Sequence, residues 1–167
     1  GGDDLLASAG SDNTLDGGDG SDMMMAIGTS NTITGGAGDD LAIVAGSSNS
    51  ITGDDGNDVV LAVGLSNQID GGAGDDVIIA AGIANPLVGE EDRNILTGGD
   101  GDDIVVSAGF GNYIYGDAGD DTLISIGAAN LINGGDDNDT IDVIGAANYV
   151  SGGTGDDTGN RQPGSGS

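Results

Sequence analysis

Short apolar bursts punctuate the chain at a fixed interval. Met23 to Ile27 and Val59 to Val63 are each five residues long, and each follows a turn rich in Gly and Asp. The stretches GGAGDDLAIVAGSSNSIT from Gly35, GDDGNDVVLAVGLSNQID from Gly53 and GGAGDDVIIAAGIANPLV from Gly71 align without gaps at a period of 18 residues. The pattern runs back through Gly17 to a truncated copy at Gly1 and resumes at Gly98, Gly116, Gly134 and Gly152. Repetition at a fixed period marks an array in which neighbouring units stack to build one continuous core. Each unit divides into two halves of nine residues, the first reading GGxGxDxUx, with U apolar, and the second xxGxxNxUx. A Gly-rich turn leading into three to five apolar residues predicts a turn and a short strand, twice per unit. The expected fold is therefore all-β, a parallel β-solenoid with 18-residue coils. At about 4.8 Å per coil, nine first-half turns give a rod roughly 40 Å long.

Alternate residues of a strand point to opposite faces. The consensus apolar column of the first halves (Leu6, Met24, Ala42, Val60, Ile78, Val105, Leu123 and Ile141) is expected to point inward. Its neighbours should then be polar, yet Leu5 and Ala7, Met23 and Met25, Leu41 and Ile43, Val59 and Leu61, Val77 and Ile79, and Ile104 and Val106 are apolar as well. A sheet face this apolar across six coils is not left in water. It predicts packing against a second copy, as a homo-oligomer, or against a neighbouring domain of a parent protein. The other sheet carries Thr32 and Thr34, Ser50 and Thr52, then Gln68 and Asp70 on its outer positions. Flat Thr arrays order water, which introduces ice binding as an alternative, although Asp16, Asp70 and Asn133 interrupt the lattice. Phe110, Tyr113, Tyr115 and Tyr149 gather on the later coils, where they either stack on a glycan ring or pair across strands.

Composition narrows the chemistry. Of the 167 residues, 36 are Gly, 29 are Asp or Glu and 2 are Lys or Arg, for a formal net charge of -27. Cys, His, Trp and Lys are absent. No disulfide, no thiolate or imidazole metal site and no Ser-His or Cys-His nucleophile pair can be built from such a set, so an enzyme is not expected. Nor is there the positive surface that a nucleic acid or an anionic membrane requires. Apolar runs of five residues fall far below a membrane span, so no insertion into lipid is expected. The partners should be cations.

The acids are not scattered. Asp4, Asp22, Asp40, Asp58, Asp76, Asp103, Asp121, Asp139 and Asp157 hold the sixth place of every first half, and 22 of the 29 acids lie between the second and sixth places. Stacked turns would bring carboxylates within about 5 Å of one another, a repulsion of several kcal/mol per coil at intermediate dielectric. Something positive must sit between them. Oxygen donors without His or Cys select Ca²⁺ or Mg²⁺ over Zn²⁺ or Cu²⁺. Asp side chains from two neighbouring turns, joined by main-chain carbonyls at the glycines, suit the larger and more flexible Ca²⁺ shell. The glycines whose carbonyls are expected nearby are Gly18, Gly20, Gly36, Gly38, Gly56, Gly72, Gly74, Gly99, Gly101, Gly119, Gly135, Gly153 and Gly155. An EF-hand is excluded because no acidic loop ends in the required Glu. The matching place of the second halves holds Asn13, Asn31, Asn49, Asn67, Asn112, Asn130 and Asn148, with Asn85 or Asn94 filling the remaining position. These Asn residues are expected to satisfy main-chain groups between coils rather than to bind metal.

With the nonapeptide in place, the chain resembles the hemolysin-type calcium-binding repeats of RTX proteins, over roughly residues 1 to 158. The resemblance implies a parallel β-roll, the sixth-place Asp residues as side-chain ligands of Ca²⁺, secretion by type I machinery and folding on extracellular Ca²⁺; nine turns leave eight gaps, for roughly 7–8 ions. Because the second halves lack GGxGxD, the expectation is calcium turns on one edge only and an Asn ladder on the other, similar to domains of large bacterial RTX adhesins. Three turns depart locally: Asp54 and Asp117 replace a second-place Gly, and Asp137 a fourth-place Gly.

Between Asp76 and Asp103 the spacing is 27 residues, nine more than one period. The surplus, near 85–94, is either a loop bulging from the Asn edge or an inserted half-coil that moves every later calcium turn to the opposite edge. Pro86 and the GEEDR tip favour the loop. Residues 159–167 form an expected flexible tail whose GSGS has the composition of a linker. The sequence thus points to a calcium-binding structural segment of a secreted or cell-surface protein. The alternatives are an ice- or glycan-binding adhesin solenoid, and the repeat block of a type I secreted toxin, protease, lipase or epimerase.

Overall fold

The computed structural model describes residues 1–83 and 94–159. Within them the chain forms sixteen strands, which alternate between two eight-stranded parallel sheets. The first sheet is built from β1 (Leu5–Ser11), β3 (Met23–Thr29), β5 (Leu41–Ser47), β7 (Val59–Val63), β9 (Val77–Ile83), β11 (Ile104–Phe110), β13 (Thr122–Ala128) and β15 (Thr140–Ile144), in that order. The second holds β2 (Thr14–Asp19), β4 (Thr32–Ala37), β6 (Ser50–Asp55), β8 (Gln68–Ala73), β10 (Ile95–Asp100), β12 (Tyr113–Ala118), β14 (Leu131–Asp136) and β16 (Tyr149–Gly153). Each strand pairs with the strand one coil away, and equivalent places of the repeat face each other, as in Met24↔Ala42 and Ile33↔Ile51. The architecture is the all-β parallel solenoid, or β-roll, that the period of 18 implies.

The core lies between the sheets and takes two inward columns from the first and one from the second. The consensus column points inward as expected: Met24, Ala42, Val60, Ile78, Val105, Leu123 and Ile141 are buried, and Leu6 in the first coil is partly so. From the second sheet Leu15, Ile33, Ile51, Ile69, Leu96, Ile114, Ile132 and Val150 meet them. Each buried Leu, Ile or Val contributes roughly 1.5–3 kcal/mol. A second inward column of the first sheet, with Ala26, Val44, Ala62, Ala80 and Val143, makes the core three side chains wide.

The surplus residues leave the stacking undisturbed. β9 pairs β11 with Val77 against Ile104, and β8 pairs β10 with Gln68 against Ile95. Asp103 therefore follows Asp76 in the same column, and Asn94 follows Asn67. The Gly-Asp turns stay on one edge throughout. The stretch on which the choice between loop and half-coil falls, including Asn85 and the GEEDR tip, lies outside the described residues, as does the tail from residue 160.

Candidate metal-binding edge

Each Gly-Asp turn carries the chain from the second sheet back to the first. Gly is required here by close approach. The carbonyl oxygens of Gly18 and Gly20 stand where a Cβ on Gly36 and Gly38 of the next coil would go, so a methyl at either position would overlap them. The same contact recurs up the stack, from Gly38 to Gly56, Gly56 to Gly74, Gly72 to Gly99, Gly74 to Gly101, Gly101 to Gly119 and Gly135 to Gly153. Where the sequence departs from Gly, the turn keeps its shape: Asp54, Asp117 and Asp137 take φ of 79°, 80° and 72°. Asp is one of the few non-Gly residues that occupies this left-handed region readily, and the carbonyls of Asp54, Asp117 and Asp137 press on Gly72, Gly135 and Gly155 in the same way.

The sixth-place Asp side chains form a ladder. Asp4 N–H donates to Asp22 Oδ1, Asp22 N–H to Asp40 Oδ1, and so on through Asp58, Asp76, Asp103, Asp121, Asp139 and Asp157, at 2.6 to 3.1 Å. Asp22, Asp40, Asp58, Asp76, Asp103, Asp121 and Asp139 are buried, while Asp4 and Asp157 are exposed. One carboxylate oxygen of each Asp from Asp22 onward thus satisfies a main-chain donor. The other does not. Oδ2 of Asp22, Asp40, Asp58, Asp76, Asp103, Asp121 and Asp139 is buried and lacks a hydrogen-bond partner among the described residues.

Each orphaned oxygen lies at a Gly that a carbonyl oxygen of the next coil also approaches. Asp22 Oδ2 lies against Gly17 at the first place of its own turn, where the carbonyl of Gly35 arrives from the next coil at 2.7 Å from the position a Cβ would take. Gly98 is flanked likewise by Asp103 Oδ2 and the Gly116 carbonyl. An anionic oxygen buried beside a carbonyl oxygen is costly unless a cation joins them. No three carboxyl side chains converge on one point among the described residues. A cation on this edge would take one or two Asp side chains and otherwise main-chain carbonyls, the donor set expected for Ca²⁺.

The protonation behaviour carries the same signature. Burial pushes Asp58, Asp76 and Asp121 up from an ordinary 3.8 to about 6 and Asp103 to about 7, against the lowering effect of the hydrogen bond each accepts. Neighbouring carboxylates add to the rise, including Asp76 and Asp121 around Asp103. Asp40 and Asp139 shift upward for the same reasons. At each of them burial is the larger cause and like charge the smaller.

A second ladder was not read from the sequence. The fifth places (Asp3, Ser21, Asp39, Asn57, Asp75, Asp102, Asp120, Asn138 and Asp156) lie beside the first ladder with the opposite polarity. The side chain of the earlier coil accepts from the later one, as when Asn57 N–H donates to Asp39 Oδ1 at 3.0 Å and Asp102 N–H to Asp75 Oδ1 at 3.1 Å. The signal was present: eight of those nine places hold Asp or Asn. Asp70 was read only as an interruption of the Thr rows. It sits in a groove with Asp54, Asp55, Asp100 and Asp117, and its carboxyl is raised by burial and then by Asp117 and Asp54.

On the opposite edge the Asn ladder does what was expected of it. Asn31 N–H and Nδ2 both donate to Asn49 Oδ1, at 2.9 and 3.0 Å, and the pattern recurs from Asn49 to Asn67. Asn94, rather than Asn85, fills the place between Asn67 and Asn112. Amide and carboxylate here share one geometry, an Oδ1 accepting the N–H of the preceding coil. The amide brings no charge to this edge.

Fold and site together define a parallel solenoid with a repeated oxygen-donor turn along a single edge. The pattern of the RTX calcium-binding nonapeptide repeat matches residues 1–26, 27–60, 64–82, 84–114, 108–125, 115–143 and 126–158. The chain belongs to this family and is a calcium-binding repeat protein. No curated protein and no solved structure matches it significantly.

Proposed function

We propose that the chain is a structural segment of a secreted or cell-surface RTX protein, without catalytic activity of its own, that folds and stiffens on binding extracellular Ca²⁺. The observation that carries this reading is the file of seven buried Asp Oδ2 atoms, one per coil, without partners among the described residues, each beside a Gly that a carbonyl oxygen of the next coil also approaches. Ca²⁺ supplies the missing positive charge. The sixth-place Asp side chains and the turn carbonyls would hold it, and because these donors converge only when coils stack, binding energy becomes folding energy. Nine turns leave eight gaps, so occupancy of roughly 7–8 ions is expected. The parent protein would be an adhesin or another type I secreted protein, and the exposed apolar sheet face would be its contact with a second copy or with a neighbouring domain.

Ice binding gains little support from the geometry. Thr34 and Thr52 share a column on the second sheet, with Asp16 before them and Asp70 after. The test of the main reading is a titration of the chelated chain with Ca²⁺. It should gain β-sheet circular dichroism cooperatively near millimolar Ca²⁺, lose it in EDTA and retain several ions per chain. A chain equally folded in EDTA, or one holding a single ion, would refute the proposal.

A further inference from the structure

The outward columns of the first sheet are apolar to a degree that its charge makes informative. Across β1 to β13 the first three outward columns carry Leu, Met, Ile, Val, Ala and a single Thr but no acid, in a chain with 29 acids; Asp142 in β15 is the first. Leu5, Ile27 and Val63 are 76%, 54% and 61% exposed. The seven strands from β1 to β13, at about 4.8 Å each, and three outward columns at about 6.7 Å give an acid-free face of about 680 Å². Two such faces in contact would bury about 1,400 Å², inside the range of about 1,200–2,000 Å² for a stable interface.

We infer that this face is covered by a second copy of the chain, packed sheet on sheet with the two rods parallel. The inference rests on the contact role proposed above and names its partner. A flat ladder of equal rungs is complementary to itself, and aligned sheets pack about 10 Å apart. Charge then chooses between the two possible two-fold axes. An axis along the strands would lay one acidic edge over the other. An axis along the rod lays each acidic edge over the partner's Asn edge, which carries no comparable charge, and keeps the two carboxylate files a strand length apart; the one like-charge approach it makes on the face itself is Asp142 over its twin at the β15 end.

Sedimentation velocity of the full chain, run in whichever condition shows the β signal, tests this. A dimer at tens of micromolar is expected. Leu61→Glu with Ile79→Glu, adjacent at the centre of the face, should weaken it at least a hundredfold while β signal and calcium uptake persist. Thr34→Glu with Gln68→Glu on the other sheet should not. If the Glu pair fails to fold, Leu61→Ser with Ile79→Ser replaces it, with a weaker dimer expected. A nitroxide on Ser11→Cys in the first coil should lie within about 25 Å of its twin for parallel rods, against more than about 35 Å for antiparallel ones. A folded monomer at all concentrations, a dimer indifferent to Leu61 and Ile79, or the longer distance would overturn the inference. A folded, calcium-loaded monomer would do so while leaving the calcium reading intact.

Discussion

Asp103 shows how one side chain serves two roles with its two oxygens. Oδ1 accepts the N–H of Asp76 at 2.7 Å, and Oδ2 is buried without a partner. The roles separate by substitution. Asp103→Asn keeps the acceptor and removes the charge. In EDTA it should stabilise whatever β structure persists by on the order of 1 kcal/mol, because a buried uncompensated charge is gone, and in Ca²⁺ the chain should retain fewer ions. Asp103→Ala removes the acceptor as well and strands a buried N–H, which costs about 1–3 kcal/mol in either condition. Chemical denaturation of both variants, with an ion count, checks this. The sixth-place column was legible because it is invariant. That half of each carboxylate is committed to the main chain was not, since periodicity identifies a column without saying what each atom touches.

At the scale of the strand and turn, the two edges repeat one hydrogen-bonding device with different charge. Asn49 accepts from both the N–H and the Nδ2 of Asn31, so Asn49→Ala should lower stability by about 2 kcal/mol. The number of bound calcium ions should stay the same, which equilibrium dialysis would verify; a lost ion would mean that the Asn edge participates in binding. Backbone conformation on this edge was less legible. The second-half turns take positive φ at Ser30, Ser48, Ser66, Ala129 and Ala147, between 56° and 58°, where Gly would be the ordinary choice. Each such residue costs roughly 1 kcal/mol, a strain the ladder beside it offsets. Strand pairing answered the question of edge that the nine surplus residues had left open, because register is a relation between coils and no single coil contains it.

For the whole molecule the governing quantity is charge confined to one edge of a thin rod. Asp58, Asp76 and Asp121 rise to about 6 and Asp103 to about 7 on folding, so without metal the folded form binds protons more tightly than the unfolded chain. The stability tied to these groups is full below their unfolded value of 3.8 and is lost as pH rises through about 6 to 7. In EDTA the chain should therefore show more β signal at pH 5 than at pH 8. With Ca²⁺ the order reverses: protons compete with the ion for the same oxygens, so the calcium concentration at half-folding should be higher at pH 5 than at pH 8. Circular dichroism across both series would show it, and a chelated chain insensitive to pH would contradict the burial described for these carboxyls.

The sequence by itself determined the coil, the donor chemistry and the charge, because each is a property of one repeat multiplied by its copies. An 18-residue period fixes where chains turn, Gly fixes where backbones meet, and the absence of Cys and His leaves only oxygen to bind with. The tertiary structure decided what depends on one coil lying on another: which Asp oxygen is already used, which Asn continues the ladder after the surplus residues, and how far the apolar face extends without an acid. Those are contacts between residues 18 or 27 positions apart, and distance along the chain carries no record of direction in space.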